Sequence, residues 1–509
     1  MKHKSAIGSA AICILFVSLI VFIGQTSWGE NKEQKPFLTG VTYGGNNVQD
    51  AKTLIDKVSD YTNLFVLQSG VLKNNATAVN EVGDYAVAKG LHFAAYFDVL
   101  TSADKAEWVD TANQRWGDMF AGVYLGDEPG GKFLDGDIFY TKEPGITLNK
   151  YDDGGVSYRD YRGDNDYSAT FYLDGTIKVQ RENITSSSSV DPTNSSVTIS
   201  STLRNTNTTT YKPNGTITVS ETITNSTTKV NTGGLSYSHI GTGQSYETLK
   251  DDFYTMENGS NRIAQEETYQ QVASKNPLTD CDGAAEVFVN KTGDSVADLK
   301  NQWNISKGEF PVFTADYGLY WWDYKSGYDM VLGELGWNNS VTQEIALVRG
   351  AASLQGKDWG TILTWKYTHA PYLADGNELF DQMKTSYENG AQYVIVFNFA
   401  EDMSGPYGTL QEQHFQALER FWNEVVQNPA VTHGGVKAEA VLVLPENYGW
   451  GMRNPSDVIW GMWEPNATSA QIWNQVQSKL DQYGTELDIV YDDPAFPVAG
   501  KYANIYFFE

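Results

Sequence analysis

From residue 37 onward, short apolar runs alternate with longer stretches whose apolar residues recur every three or four positions. The short runs predict strands at 37–44, 63–70, 92–98, 121–127, 312–317, 330–335, 361–367 and 393–399. Between them, amphipathic spacing predicts helices at 48–60, 76–89, 103–115, 342–354, 378–388 and 411–426. Continuous runs such as Tyr393-Val-Ile-Val-Phe397 suit strands buried on both faces, hence a parallel sheet with helices outside. Eight such strands predict an α/β fold, a closed (β/α)8 barrel over 37–132 and 246–428. An open doubly wound sheet is the structural alternative.

The rhythm breaks after the fourth strand. Residues 183–232 hold 32 Ser, Thr or Asn among 50, a composition that also suits a mucin-like spacer. Two stretches, 171–179 and 215–223, instead alternate apolar or β-branched with polar residues, and both lie beside glycines. That favours an antiparallel β insertion spanning 133–245. Beyond the barrel, strand-like runs at 436–444, 487–491 and 502–508, with a helical stretch at 469–483, predict a small α/β domain over 436–509. Its Trp- and Gly-rich segments, 449–454 and 459–463, read as aromatic packing onto the barrel.

Charge and the N-terminus change the picture next. Lys2, His3 and Lys4 precede an apolar run over 6–24, and Ser27 and Gly29 suit cleavage before Glu30. Residues 1–29 are therefore expected to be a signal peptide, or a retained membrane anchor, since 6–24 is long enough to span a bilayer. The body is expected to be extracellular or at the cell surface. Eleven Asn-x-Ser/Thr acceptors make a glycoprotein the expectation. With Cys13 inside the export segment, Cys281 stands alone and no disulfide framework is possible. A net charge of −27 excludes nucleic acid as a partner, because such binders concentrate Lys and Arg.

The chain lacks His-Glu-x-x-His, a phosphate-binding loop, Gly-x-Ser-x-Gly and Cys-x-x-Cys, and its six histidines have no metal-ligand spacing. No metal or cofactor is expected. What remains is carboxylate chemistry at strand ends, the rim on which barrel enzymes place catalysis. Val123-Tyr-Leu-Gly-Asp-Glu-Pro-Gly130 closes strand four with Asp127 and Glu128, and Glu334 closes strand six. Asp98 and Asp316 end strands three and five, and Trp321, Trp322, Trp365, Tyr367 and His369 fall on the same rim as candidate substrate-binding groups. Glycoside cleavage needs a proton donor at the leaving oxygen and a second carboxylate facing the anomeric carbon. Aromatic faces hold the ring, and the chain carries 14 Trp, 30 Tyr and 22 Phe. The structural alternatives are a turn cap for Asp127, a salt bridge for Glu334 and core packing for the aromatics.

At these residues the chain resembles the barrel-type glycoside hydrolases. The adjacent Asp127-Glu128 closing strand four is similar to the dyad of barrel N-acetylhexosaminidases. That resemblance implies Glu128 as acid/base and Asp127 as the residue orienting an acetamido group that serves as nucleophile. The retaining scheme of many barrel glycosidases places its nucleophile after strand seven. This chain departs from it, since Trp365-Lys-Tyr-Thr-His369 holds no acid and Glu334 would have to substitute. The last domain resembles the amidotransferase-like domain of some β-galactosidases, without its nucleophilic cysteine. The expectation is an exported protein cleaving or binding a poly- or oligosaccharide. A non-catalytic carbohydrate-binding or surface-layer protein on a barrel scaffold is the alternative.

Overall fold

The computed structural model describes residues 36–97, 103–135, 281–302, 310–337, 339–400, 404–461 and 463–508. Between 139 and 239 it describes the strands alone. The expected export segment, 1–29, and Asp98 lie outside the described residues.

Eight parallel strands close into a barrel. They are β1 (Leu38–Tyr43), β2 (Leu64–Leu67), β3 (His92–Phe97), β4 (Phe120–Leu125), β13 (Val312–Asp316), β14 (Met330–Leu335), β15 (Asp358–Leu363) and β16 (Tyr393–Val396), with β1 pairing β16 to complete the ring. All eight coincide with expected strands, and the open-sheet alternative is excluded by that last pairing. Around the ring lie α1 (Val48–Val58), α2 (Ala76–Ala88), α3 (Ala103–Trp116), α4 (Pro129–Asp135), α5 (Cys281–Gln302), α6 (Tyr320–Lys325), α7 (Val341–Gln355), α8 (Gly376–Glu388) and α9 (Glu412–Phe421). Among the described residues, no helix is long and apolar enough to cross a membrane.

The barrel interior is a packed core built from alternate strand residues. Leu64 and Val66 of β2, Phe313 and Ala315 of β13, Met330 and Leu332 of β14, and Tyr393 and Ile395 of β16 all belong to it. In β4 the count of two is broken. Ala121 and Tyr124 both face inward, because the pairing with β3 skips a residue at Ala121, beside Gly122. Gly122 has φ +116, and a Cβ there would meet the Pro311 carbonyl at 2.2 Å, so only glycine serves.

Between β4 and β13 the chain makes an antiparallel sheet of eight strands in sequence order: β5 (Phe139–Tyr140), β6 (Ile146–Lys150), β7 (Val156–Asp160), β8 (Asn165–Phe171), β9 (Ile177–Asp191), β10 (Asn194–Tyr211), β11 (Ile217–Asn231) and β12 (Ser236–His239). The Ser/Thr/Asn-rich stretch is therefore largely strand. Within it, 171–179 is not one strand but a hairpin corner, with Phe171 paired to Ile177.

The C-terminal domain is a parallel sheet, β18 (Leu487–Tyr491), β17 (Ala440–Leu444), β19 (Asn504–Phe507), with α10 (Ala467–Tyr483). It packs on α7, which is buried almost all round, as a helix between two layers must be. Arg349 of α7 is the clamp. Its guanidinium donates to Asp488 Oδ1 (2.8 Å), Asn389 Oδ1 (2.6 Å) and the carbonyls of Thr485 (2.7 Å) and Leu487 (2.9 Å).

Candidate active site

At the end of the barrel where the strands finish, an open cleft of about 210 Å³ is lined by Gln68, Tyr124, Asp127, Glu128, Glu334, Trp337, Ile362, Thr364, Trp365, Phe397 and Phe399. Most of these continue the inward count of two. Gln68 follows Leu64 and Val66, Glu334 follows Met330 and Leu332, Thr364 follows Ile362, and Phe397 and Phe399 follow Tyr393 and Ile395.

Glu128 reaches the cleft by a different route. Its backbone is left-handed (φ +54), its N–H donates to the Ala315 carbonyl (2.9 Å), and Pro129 opens α4 directly after it. A non-glycine residue in this conformation costs about 1 kcal/mol and is held only by its surroundings. Lys132, one turn on, lies 3.4 Å from Glu128 Oε2 and 3.7 Å from Asp127 Oδ2 and donates to the Asp127 carbonyl at 2.8 Å. Tyr124 donates its hydroxyl to Asp127 Oδ1 at 2.5 Å.

The carboxyls of Glu128 and Glu334 are hydrogen-bonded to each other, so the pair holds a proton. Burial, with the charges of Glu128 and Asp127, drives the Glu334 carboxyl well above the ordinary carboxylate range. Burial and Asp127 also raise Glu128, but Lys132 and the bond from Glu334 oppose the rise. Of the two carboxyls, Glu334 is thus pushed the further towards its neutral form.

The remaining lining offers ring faces and hydroxyl partners. Trp337 packs edge-on to Trp365 (5.9 Å) and Trp365 lies 6.4 Å from Phe397, with the Trp365 indole N–H fixed on the Phe399 carbonyl (2.7 Å). Trp337 is 43% exposed and stands at the mouth. Among the described residues Gln68 Oε1 and Thr364 Oγ1 are buried without a protein partner, two acceptors facing the same space.

Of the expected residues, Asp127, Glu128, Glu334 and Trp365 come together here. Asp316 does not. Phe313 and Ala315 face inward, so Asp316 faces outward, fully buried, and accepts from the amides of Gly130 (2.5 Å), Gly131 (2.7 Å), Tyr317 (2.7 Å) and Gly318 (3.2 Å). Trp321 and Trp322 also leave the rim. Both belong to α6, where the C-terminal domain covers them: Trp322 packs on Trp460 (4.7 Å) and Tyr491 (4.4 Å), Trp321 on Phe496 (5.9 Å). Tyr367 is 40% exposed and, like His369, sits outside the cleft lining, in a loop pinned by Tyr367 N–H on the Tyr372 carbonyl (3.0 Å). Gln68, Tyr124, Lys132, Trp337, Thr364, Phe397 and Phe399 are additions. Counting by two from the core positions reaches Gln68, Thr364, Phe397 and Phe399; the bulge hides Tyr124, and Trp337 and Lys132 lie beyond any strand.

Among the described residues no group of His, Cys, Asp and Glu is arranged to hold a metal ion. No protein-family model matches the chain, and no curated protein matches it.

Proposed function

We propose that this chain is an exported glycoside hydrolase acting at the C-terminal rim of its barrel, with Glu128 and Glu334 as its acid/base pair. The observation that carries this reading is the meeting of those two carboxyls in an aromatic-lined cleft. Glu334 holds the proton a leaving glycosidic oxygen needs, and Glu128 is the carboxylate that faces the developing positive charge or activates water. Those roles reverse the ones the hexosaminidase resemblance implies for Glu128. Asp127, fixed by Tyr124, accepts an N–H or O–H from the sugar and orients it. Among the described residues the lining carries three acids and no Arg, Lys or His, with Lys132 engaged by Glu128 and Asp127 behind it, which favours an uncharged glycan over a uronate. The basic-then-apolar N-terminus supports action outside the cytoplasm, by secretion or from an anchor.

The test is a glycan-release screen on the wild-type protein beside Glu128→Gln and Glu334→Gln. Each substitution is expected to lower release by about 10²–10⁴-fold, the usual worth of a general acid or base. Release unchanged in both variants overturns the assignment. One observation favours a second reading, carbohydrate binding without cleavage: the carboxyls touch, whereas retaining hydrolases hold theirs about 5–5.5 Å apart. Binding on a glycan array with no release from any substrate would support it.

A further inference from the structure

The first free amides of α4 need an acceptor, and the side chain immediately before a helix ordinarily supplies it. Glu128 occupies that position, yet its carboxyl is turned to Glu334 and Lys132. Asp316, 188 residues later in the chain, accepts from Gly130 and Gly131 in its place, and from Tyr317 and Gly318 as well. The approach is close: a Cβ on Gly130 would stand 2.5 Å from the Gly318 carbonyl, and one on Gly131 2.2 Å from the Tyr317 ring. Behind Asp316 lies Asp323 of α6, fully buried, with neither carboxyl oxygen reached by an N–H, a hydroxyl or a cation among the described residues. The Asp316 carboxyl faces it. Two touching carboxyls without a cation share a proton, and four amide donors select the ionised form of Asp316.

We propose that protonated Asp323 and ionised Asp316 form a positioning pair that holds the start of α4, and with it the Glu128 carboxyl, against Glu334. The inference rests on the reading of Glu128 and Glu334 as the acid/base pair. Neither aspartate touches the cleft, so each acts through α4. Burial raises both groups, Asp316 to about 7 against the pull of its amides and Asp323 further, having no such amides, so Asp316 ionises first and the singly protonated pair is the form present above about pH 7. Asp316 is also faced by Glu128 and Lys132 from the α4 side, by Glu334 from β14, by Tyr317 in its own loop, by Tyr320 from α6 and by Glu344 from α7; Asp323 is faced by Tyr324.

The two positions are expected to respond unequally to the same change. Asp323→Asn keeps a permanent donor to Asp316, so it should fold, retain kcat within about threefold and keep the Gly130 and Gly131 amides protected from exchange. Asp316→Asn presents an amide where four N–H groups need an anion, and should drop kcat about 100-fold with KM little changed, while exposing those amides. The fall in kcat with KM little changed is the readout that a merely structural role would not move, and stability reports the shared proton itself. A carboxyl with a raised folded pKa contributes stability below its ordinary pKa and loses it as pH rises towards the folded value. The wild-type Tm should therefore fall between pH 4 and pH 8, and Asp323→Asn should flatten that slope. Hydrogen exchange and Tm need no substrate, so they test the pair even if the wild-type protein releases no sugar. Equal behaviour of the two variants overturns the proposal. If Asp316→Asn does not fold, loss of Gly130 and Gly131 protection in Asp323→Asn overturns it, and retained protection with a flattened slope upholds it.

Discussion

Glu128 shows how much of the site depends on single backbone positions. A left-handed glutamate, a proline and two glycines in succession turn a strand end into a helix start while leaving one carboxyl free to face the cleft. Gly131 is the least replaceable of these. Gly131→Ala puts a methyl group against a Tyr317 ring whose hydroxyl is held by Asp135 (2.6 Å), so the ring cannot step aside. Overpacking of this kind costs about 1–3 kcal/mol. The expected outcome is that loss in urea unfolding, with a larger loss of glycan release than of stability because α4 shifts. Residue parity also decides which acids serve. Glu334 and Asp316 both stand at strand ends and look equivalent in the sequence, yet one falls on the inward count and the other does not. The acids at 127, 128 and 334 were legible from their place in the pattern. Parity was legible too, except in β4, where a bulge shifts Tyr124 inward and no local residue pattern announces the skipped count.

Among the elements, strand existence follows from composition and strand endings do not. The expected seventh strand, 361–367, is displaced to Asp358–Leu363. Trp365 and Tyr367 have strand-like side chains, but the ladder that would continue past Leu363 is absent, since β16 pairs it only to Val396. A strand ends where its neighbour ends, and that neighbour is distant in sequence. The same blindness put Trp321 and Trp322 on the rim, because the domain that covers α6 begins more than a hundred residues later. Between α7 and the C-terminal sheet, the buried Arg349–Asp488 pair fastens the two layers. Arg349→Ala leaves the buried Asp488 carboxylate without its cation, held only by the Tyr502 hydroxyl (2.8 Å), and is expected to destabilise the protein by about 3–5 kcal/mol. Urea unfolding measures it. Arg349→Lys should rescue little, because an ammonium cannot reproduce the guanidinium fork.

At the scale of the whole molecule, the C-terminal domain is a brace for the helix that carries Glu128. Trp460 packs on Phe133 of α4 (5.9 Å), and Arg453 binds Asp135 at the end of that helix (2.5 Å) while stacking towards Tyr317. A chain ended at residue 428 would bare Trp321 and Trp322 and leave Arg349 unpaired. It is expected to aggregate and to show no cooperative transition in calorimetry; a soluble, folded, active barrel would refute the bracing role. The insertion between β4 and β13 bears on the site in another way. Its two ends are tied behind the cleft, where Asp316 grips Gly130 and Gly131. The entropy of closing such a loop grows only with the logarithm of its length, about 0.6 kcal/mol for each doubling. Natural variation can therefore lengthen, shorten or replace the whole excursion with little thermodynamic penalty to the cleft. The same tie imposes an order in time: a chain emerging during synthesis carries Glu128 early, but cannot seat it until residue 316 has followed, so the meeting of Glu128 with Glu334 is a late event in the chain's folding.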